Sequence, residues 1–391
     1  MTAARWLRRR LPPEPFRHRH WIGKGNGVTA ALTIALDAMG GDHAPDMVIK
    51  GAAALLPRFP QVKFILFGDA GQVEPLLRRF PTLKERCELR HTAEKVASED
   101  KPGQALRRGR NTSMRLSIDA VANGEAHAIV SAGNTGALMA MAKFVLRTLP
   151  GIERPAIASF LPTMKGETVV LDLGANVECD ARNLVQFAVM GANLAHSALG
   201  RHRPRVGLLN VGVEDVKGHD EVKAAAEMLR AVAKPPFEFV GFVEGNDIAG
   251  GEVDVIVTDG FTGNIALKTV EGTAKLMASL LRSAFQRSIF TRIGYLFASS
   301  GLAMLRDRMD PRFYNGGVLL GLNGIVVKSH GGTDDVGFAA ALEVAIDMAQ
   351  DRLIERIKAD FSGAFADSLT AQTAAGEANQ TEQQESRAGV S

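Results

Sequence analysis

Short apolar runs alternate with amphipathic stretches along nearly the whole chain. Leu32–Asp37, Val62–Phe67, Ala126–Val130, Ala156–Phe160, Thr168–Leu171, Arg205–Asn210, Phe239–Val243 and Val255–Val257 read as buried strands. Between them lie helical spacings. One has Val48, Ala52 and Leu55 after Pro45, and one runs roughly from Gln72 to Phe80. Another starts near Ser113 and stops at Asn123-Gly124. Further helices are predicted through Met139, Phe144 and Val145, over Leu184–Leu199, and on the face Val222, Ala226, Leu229 and Ala233. Leu267, Val270, Ala274, Met277 and Leu281 mark another, and a final helix reaches Ile354. Val318–His330 reads as a strand pair or one bent strand.

Strands alternating with helices predict a three-layer α/β/α fold with a mostly parallel sheet, covered on both faces. Most strands run straight into a polar, Gly-rich turn. These turns lie at 37–45, 131–137, 172–176, 210–220, 244–247, 258–264 and 328–335. Ligands of open α/β sheets sit beyond the C-terminal ends of the strands. All the turns are therefore expected on one edge, as walls of a shared cleft.

Residues 275–309 break the pattern. Lys275, Arg282, Arg287, Arg292, Arg306 and Arg308 are interleaved with Leu280, Leu281, Phe285, Ile289, Phe290, Ile293, Tyr295, Leu296, Phe297, Leu302 and Leu305. A basic amphipathic helix pair of this kind suits a membrane interface, a dimer seam or ordinary surface packing.

Composition narrows the class. With 391 residues, 46% of them hydrophobic, the chain can bury a large core in one big domain or two. The two cysteines, Cys87 and Cys179, have no metal spacing and suggest a reducing compartment. Cys179 is either a nucleophile or a small core thiol. The net charge of +3 is unevenly spread. Residues 1–30 carry seven basic side chains against Glu14, and residues 363–391 carry four acidic against Arg387, which leaves 31–362 neutral. The body is thus no nucleic-acid-binding domain. The expected division is a disordered basic leader at 1–30, one α/β domain at 31–362, and a disordered tail at 363–391. No apolar run is long enough to span a membrane, and the leader lacks the apolar core of a secretion signal. The expected location is the cytoplasm.

Several chemistries have no carrier. G-x-S-x-G, G-x-x-x-x-G-K-[ST] and H-E-x-x-H are all absent. The turns instead offer amides, asparagines, threonines, lysines and a few histidines. Such groups bind an anion and stabilise developing negative charge, and they also serve as ordinary caps. The candidate anion-binding groups are Asp37, Gly133, Asn134, Thr135, Gly136, Asp172, Asn176, Asn210, Asp259, Gly260, Thr262 and Gly263.

The motifs themselves are specific. Ile34–Pro45, Val130–Ala137, Leu171–Asn176, Gln186–Gly191, Asn210–Glu214, Glu244–Asn246, Thr258–Asn264 and Lys328–Gly331 closely resemble those of the PlsX-type phosphate acyltransferases, in the same order. The resemblance covers roughly 31–355. It implies transfer of a fatty acyl group from acyl carrier protein to inorganic phosphate, for phospholipid synthesis. It also implies a homodimer, a fold like the phosphate acetyltransferases and isopropylmalate dehydrogenases, peripheral contact with the inner face of the membrane, and a downstream glycerol-3-phosphate acyltransferase. No metal or nucleotide cofactor is expected. Within that reaction, Asn134, Thr262, Asn264 and Lys268, with the neighbouring amides, are expected to hold phosphate. Lys217, His219 or His330 would stabilise the oxyanion or protonate the leaving thiolate. Arg107–Arg115 and the arginines of 282–308 are candidate docking patches for the acidic carrier. The rival readings are a phosphate acetyl- or butyryltransferase using acyl-CoA, a decarboxylating dehydrogenase, and a membrane scaffold without activity.

Overall fold

The computed structural model describes residues 32–232, 235–308 and 310–362, with no side-chain description for 306–308 and 311. The leader and tail expected at 1–30 and 363–391 lie outside the described residues.

The strands are β1 (Thr33–Asp37), β2 (Lys63–Gly68), β3 (Cys87–His91), β4 (Ala128–Ser131), β5 (Ala156–Thr163), β6 (Gly166–Leu171), β7 (Arg205–Leu209), β8 (Glu238–Val243), β9 (Val255–Val257), β10 (Gly317–Leu320) and β11 (Ile325–Lys328). The helices are α1 (Asp46–Leu55), α2 (Ala70–Leu77), α3 (Pro81–Lys84), α4 (Pro102–Arg108), α5 (Ser113–Ala122), α6 (Thr135–Leu146), α7 (Ala181–Leu199), α8 (Asp220–Ala231), α9 (Gly260–Gln286), α10 (Ile289–Arg308), α11 (Asp335–Gln350) and α12 (Leu353–Ser362).

All the strands join one sheet in the order β3-β2-β1-β4-β11-β10-β5-β6-β9-β7-β8. Alternate residues of one strand serve opposite layers, because a strand's side chains point to alternate faces. Ile34 and Leu36 pack with α1, α7 and α11, whereas Ala35 between them packs with α5 and α6. This two-sided burial is why the strands read as continuous apolar runs.

Helix ends follow local chemistry. Asp180 and Asn183 form a capping box at the start of α7, and Gly200 closes it in the left-handed region at φ 65°. The final helix expected through Ile354 is instead two, α11 and α12, broken at Asp351-Arg352. Arg352 takes φ 55°, which ends the first helix and turns the chain. Sequence periodicity also misses β3, an edge strand whose side chains alternate poorly between buried and exposed. It misses the short helix α4 within the basic stretch, although Arg107, Arg108 and Arg110 are solvated as a charged segment should be.

One expectation is overturned. The polar turns do not share an edge. β1, β2, β3, β4 and β11 are mutually parallel. β10 is antiparallel to both β11 and β5, and β5 is antiparallel to β6. β6, β9, β7 and β8 are again parallel among themselves. Following these pairings across the sheet, the two parallel halves run in opposite directions. The turns at 37–45, 131–137 and 328–335 lie on one edge. Those at 172–176, 210–220, 244–247 and 258–264 lie on the other.

Candidate active site

The first edge has the topology of a ligand site. From β1 the chain moves outward to β2 and β3, then returns to β4 on β1's other side. Such a switch point is where open α/β sheets bind ligands. β11 lies beside β4, with Lys328 opposite Ser131.

Asp37 ties the loops together. Its carboxylate is fully buried and accepts Ser113 Oγ at 2.6 Å, Ser131 Oγ at 2.6 Å and the Met39 amide at 3.3 Å. Ser131 Oγ in turn accepts the Gly133 amide at 3.1 Å. Burial raises the Asp37 pKa and these hydrogen bonds oppose the rise. Packing here requires glycine. A Cβ on Gly40 would lie 2.3 Å from Asp37 Oδ2 and 2.8 Å from the Gly133 nitrogen. The Asp42 amide donates to Gly331 O at 2.9 Å, which joins the first loop to the one after β11. Asn315 holds that last loop, donating to Ser329 Oγ at 2.8 Å and accepting the His330 amide at 2.9 Å.

The N-terminus of α6 opens onto this edge. Asn134 caps it by accepting the Ala137 amide at 3.0 Å. The Asn134 amide group donates to Ser98 O at 2.8 Å and Asp100 O at 3.1 Å. Asn134 is thus a positioning group, held on both sides. The next amides, Thr135 and Gly136, belong to the first helical turn and have no acceptor within the helix. They present the positive end of the helix dipole. Lys328 stands close by. Its ammonium donates to Ala132 O at 3.4 Å and to Ser329 O. Burial pushes its pKa down to about 8, partly offset by Asp37 and Asp42. His330 is exposed at the rim, where its Nδ1 accepts the Gly332 amide at 3.3 Å.

The opposite edge gathers the other candidates. Asp172 is buried and accepts Ile157 N at 2.9 Å, Gly174 N at 3.2 Å, Ala175 N at 3.0 Å, Asn176 N at 2.7 Å and Asn176 Nδ2 at 2.9 Å. It is the knot of its own turn. Three of the four amides that open α9 have partners. Asp259 accepts from Thr262 N and Thr262 Oγ1, each at 2.8 Å. The Gly260 amide donates to Asn176 O at 2.7 Å, and Gly263 donates to Asp259 O at 2.9 Å. Asp259 thus places a carboxylate at that helix start. Asn264 is exposed next to Gly174. Lys268 is exposed and pairs with Glu271 at 2.9 Å. Asn210 donates to Lys217 O at 3.0 Å, and Lys217 pairs with Glu214 at 2.9 Å. His219 precedes α8 without a side-chain cap bond. Cys179, half-buried nearby, has its thiol pushed up to about 12 by burial and then by Asp172 and Asp259. A thiol so raised stays protonated and is no nucleophile.

The candidate set therefore divides. Asp37, Gly133, Asn134, Thr135, Gly136 and His330 meet at the first edge. Asp172, Asn176, Asn210, Lys217, His219, Asp259, Gly260, Thr262, Gly263, Asn264 and Lys268 belong to the second. Sequence reasoning gave no individual role to Lys328, Ser131, Ser113, Asp42 or Asn315, although its motifs at 34–45, 130–137 and 328–331 contain Asp42, Ser131 and Lys328. Lys328 alone carried a signal, as a charged residue closing an apolar strand.

The sequence profile described as "Fatty acid synthesis protein" matches residues 32–356. Among similar proteins, a phosphate acyltransferase of Paramagnetospirillum magneticum is 58% identical over 334 residues, 85% of this chain and 95% of that one. A phosphate acyltransferase of Rhodospirillum centenum is 59% identical over 331 residues, 85% of this chain and 93% of that one. The chain belongs to the phosphate acyltransferases. It is an acyltransferase of the PlsX type, and its reaction is acyl transfer to phosphate. Solved structures support the fold. The EutD phosphotransacetylase of Staphylococcus aureus superposes with a TM-score of 0.54 at 19% identity, covering 82% of this chain and 94% of that one. A phosphotransacetylase of Streptococcus pyogenes gives 0.55 at 17% identity, covering 91% and 100%. The expected three-layer α/β/α architecture agrees with these neighbours.

Proposed function

We propose that the enzyme moves a fatty acyl group from acyl carrier protein to inorganic phosphate, releasing acyl phosphate and free carrier. The observation that carries this reading is the site at the β1/β4 switch point, in a chain of this family. Phosphate is already an anion near neutral pH and needs no side chain to generate a nucleophile. It would sit on the Thr135 and Gly136 amides, where the helix dipole favours negative charge. One phosphate oxygen attacks the thioester carbonyl, and His330 at the rim stabilises the oxyanion that forms. Asp37 and Asn134 act as positioning residues. Lys217, His219, Asn264 and Lys268 stand at the other edge and have no part in this reading.

Acyl carrier protein as donor is supported by the basic face next to that site. Arg107, Arg108 and Arg110 are exposed on and just after α4, and α4 starts at Pro102, against Gly136 of α6. An acidic carrier fits that face. The product would serve a glycerol-3-phosphate acyltransferase at the membrane.

We further propose that the α9–α10 pair docks on the inner face of an anionic bilayer and that the enzyme works as a homodimer. The membrane contact is favoured by Phe290 and Phe297, which are 81% and 87% exposed beside Arg287 and Arg292. Among the described residues no helix is long and apolar enough to cross a membrane.

The deciding experiment is mass-spectrometric detection of acyl phosphate, with matched acyl-carrier and acyl-CoA donors. Acyl phosphate from the carrier at far lower donor concentration is the expected result. Equal or better use of acyl-CoA would move the assignment to a coenzyme A-dependent phosphate acyltransferase.

A further inference from the structure

We propose that Lys328 is the general acid of the reaction, giving its proton to the thiolate that leaves the thioester. The inference rests on the phosphate-attack reading above. Its basis is position. Lys328 closes β11 opposite Ser131, the residue that starts the loop leading into α6. Its ammonium reaches Ala132 O in that loop, three residues before the first amide of α6. Asp37 and Asp42 are near enough to act on its charge, yet its hydrogen-bond partners are backbone carbonyls. From the β4–α6 loop the facing groups, Ser131, Ala132, Gly133 and Asn134, carry no titratable proton near neutral pH. From its own loop there is exposed His330, and from the first loop Asp37, Asp42 and His43. β10, on the other side, places Gly317 beside Lys328. The result is a part-buried amine that, among the described residues, has no salt bridge to a carboxylate.

The chemistry balances. A phosphate oxygen forms the new C–O bond, the C–S bond breaks, and the electron pair leaves on sulfur. The Lys328 ammonium protonates that sulfur and becomes a neutral amine, which solvent recharges. The match in acidity is close. An ordinary thiol titrates at about 8.5, and burial brings Lys328 down to about 8. A proton passes between such partners with little free-energy change, which is the condition for efficient general-acid catalysis.

The test compares Lys328→Arg and Lys328→Gln with wild type, each checked for fold by circular dichroism and thermal melting. Arginine keeps the positive charge but gives up its proton only at far higher pH. With a free alkyl thioester and phosphate, Lys328→Arg should lose roughly a hundredfold or more in kcat, while KM for phosphate changes little. Lys328→Gln should lose kcat and raise KM. With an aryl thioester, whose thiolate leaves without a proton, the kcat of Lys328→Arg should return towards wild type. The wild-type rate should fall above about pH 8, and that limb should vanish in Lys328→Arg. An equal loss with both thioesters, a persistent alkaline limb, or unchanged kcat in both variants would overturn the assignment. Absence of acyl phosphate from the wild-type enzyme would instead overturn the reaction reading itself, and this inference with it.

Discussion

At the scale of single residues, buried Asp37 and part-buried Lys328 hold the first edge, and each makes a measurable statement. Asp37 accepts two hydroxyls and one amide inside the protein. Alanine there would strand three donors. Asp37→Ala should lower unfolding free energy by about 3 kcal/mol, read by urea denaturation. A loss indistinguishable from zero would mean that the loops are not tied through this carboxylate. Lys328 acts on stability with the opposite sign. Its folded pKa of about 8 lies below its ordinary value of 10.5. Between those values the unfolded chain binds more protons than the folded one, so stability rises with pH across that window. The full rise is of order 3 kcal/mol. In Lys328→Met it should be absent, as measured by denaturation from about pH 8 to about pH 10. A rise that survives the substitution would assign the effect to another group. Neither role was legible locally, because both depend on burial. Asp37 was singled out as the polar end of a strand, the right place for the wrong kind of evidence. Lys328 ends a strand in the same way and opens a motif, but was given no role, since exposed lysines commonly end strands.

Elements carry the next set of expectations. α6 and α9 begin alike in sequence, each with a polar Gly-rich turn after a strand. Folding makes them different. Asn134 caps α6 with its side-chain oxygen and leaves the Thr135 and Gly136 amides without an acceptor in the helix. Asp259 caps α9 with a carboxylate side chain, and the Gly260 amide is taken by Asn176 O. A second anion is unwelcome there. Lys268 is engaged with Glu271 on an exposed turn of the same helix. Lys268→Ala should therefore keep near-wild-type turnover and phosphate dependence in steady-state kinetics. A large loss would bring the second edge back into the catalytic site. α4 makes a third case. Its sequence read as a solvated basic loop, and its arginines are indeed exposed, but it sits beside the start of α6. Reversing the charge of Arg107, Arg108 and Arg110 should raise the apparent KM for acyl carrier protein while sparing a small free thioester. An unchanged KM for the carrier would remove this face from the docking surface.

On the scale of the whole molecule, α9 and α10 stand apart. Most of their apolar side chains face outward, with Leu296 and Phe297 at 70% and 87% exposure. Exposed apolar groups of this size ask for a covering partner. Leu296→Glu with Phe297→Glu should abolish flotation with anionic vesicles while leaving acyl transfer from a free thioester intact. Flotation equal to wild type would point away from the bilayer as that partner.

The sequence by itself determined the α/β class and most of the strands and long helices, because burial on both faces and capped helix starts are local patterns, and its motifs carried the family resemblance. It also marked the turns where chemistry would lie. Only the tertiary structure decided which turns meet. An apolar run has the same pattern whichever way its strand points, and periodicity carries no record of polarity within a sheet. Direction came from pairing between distant segments, in which β10 and the β5–β6 hairpin reverse the chain. That reversal separated turns expected to share a cleft and drew Lys328 to the β1/β4 switch point.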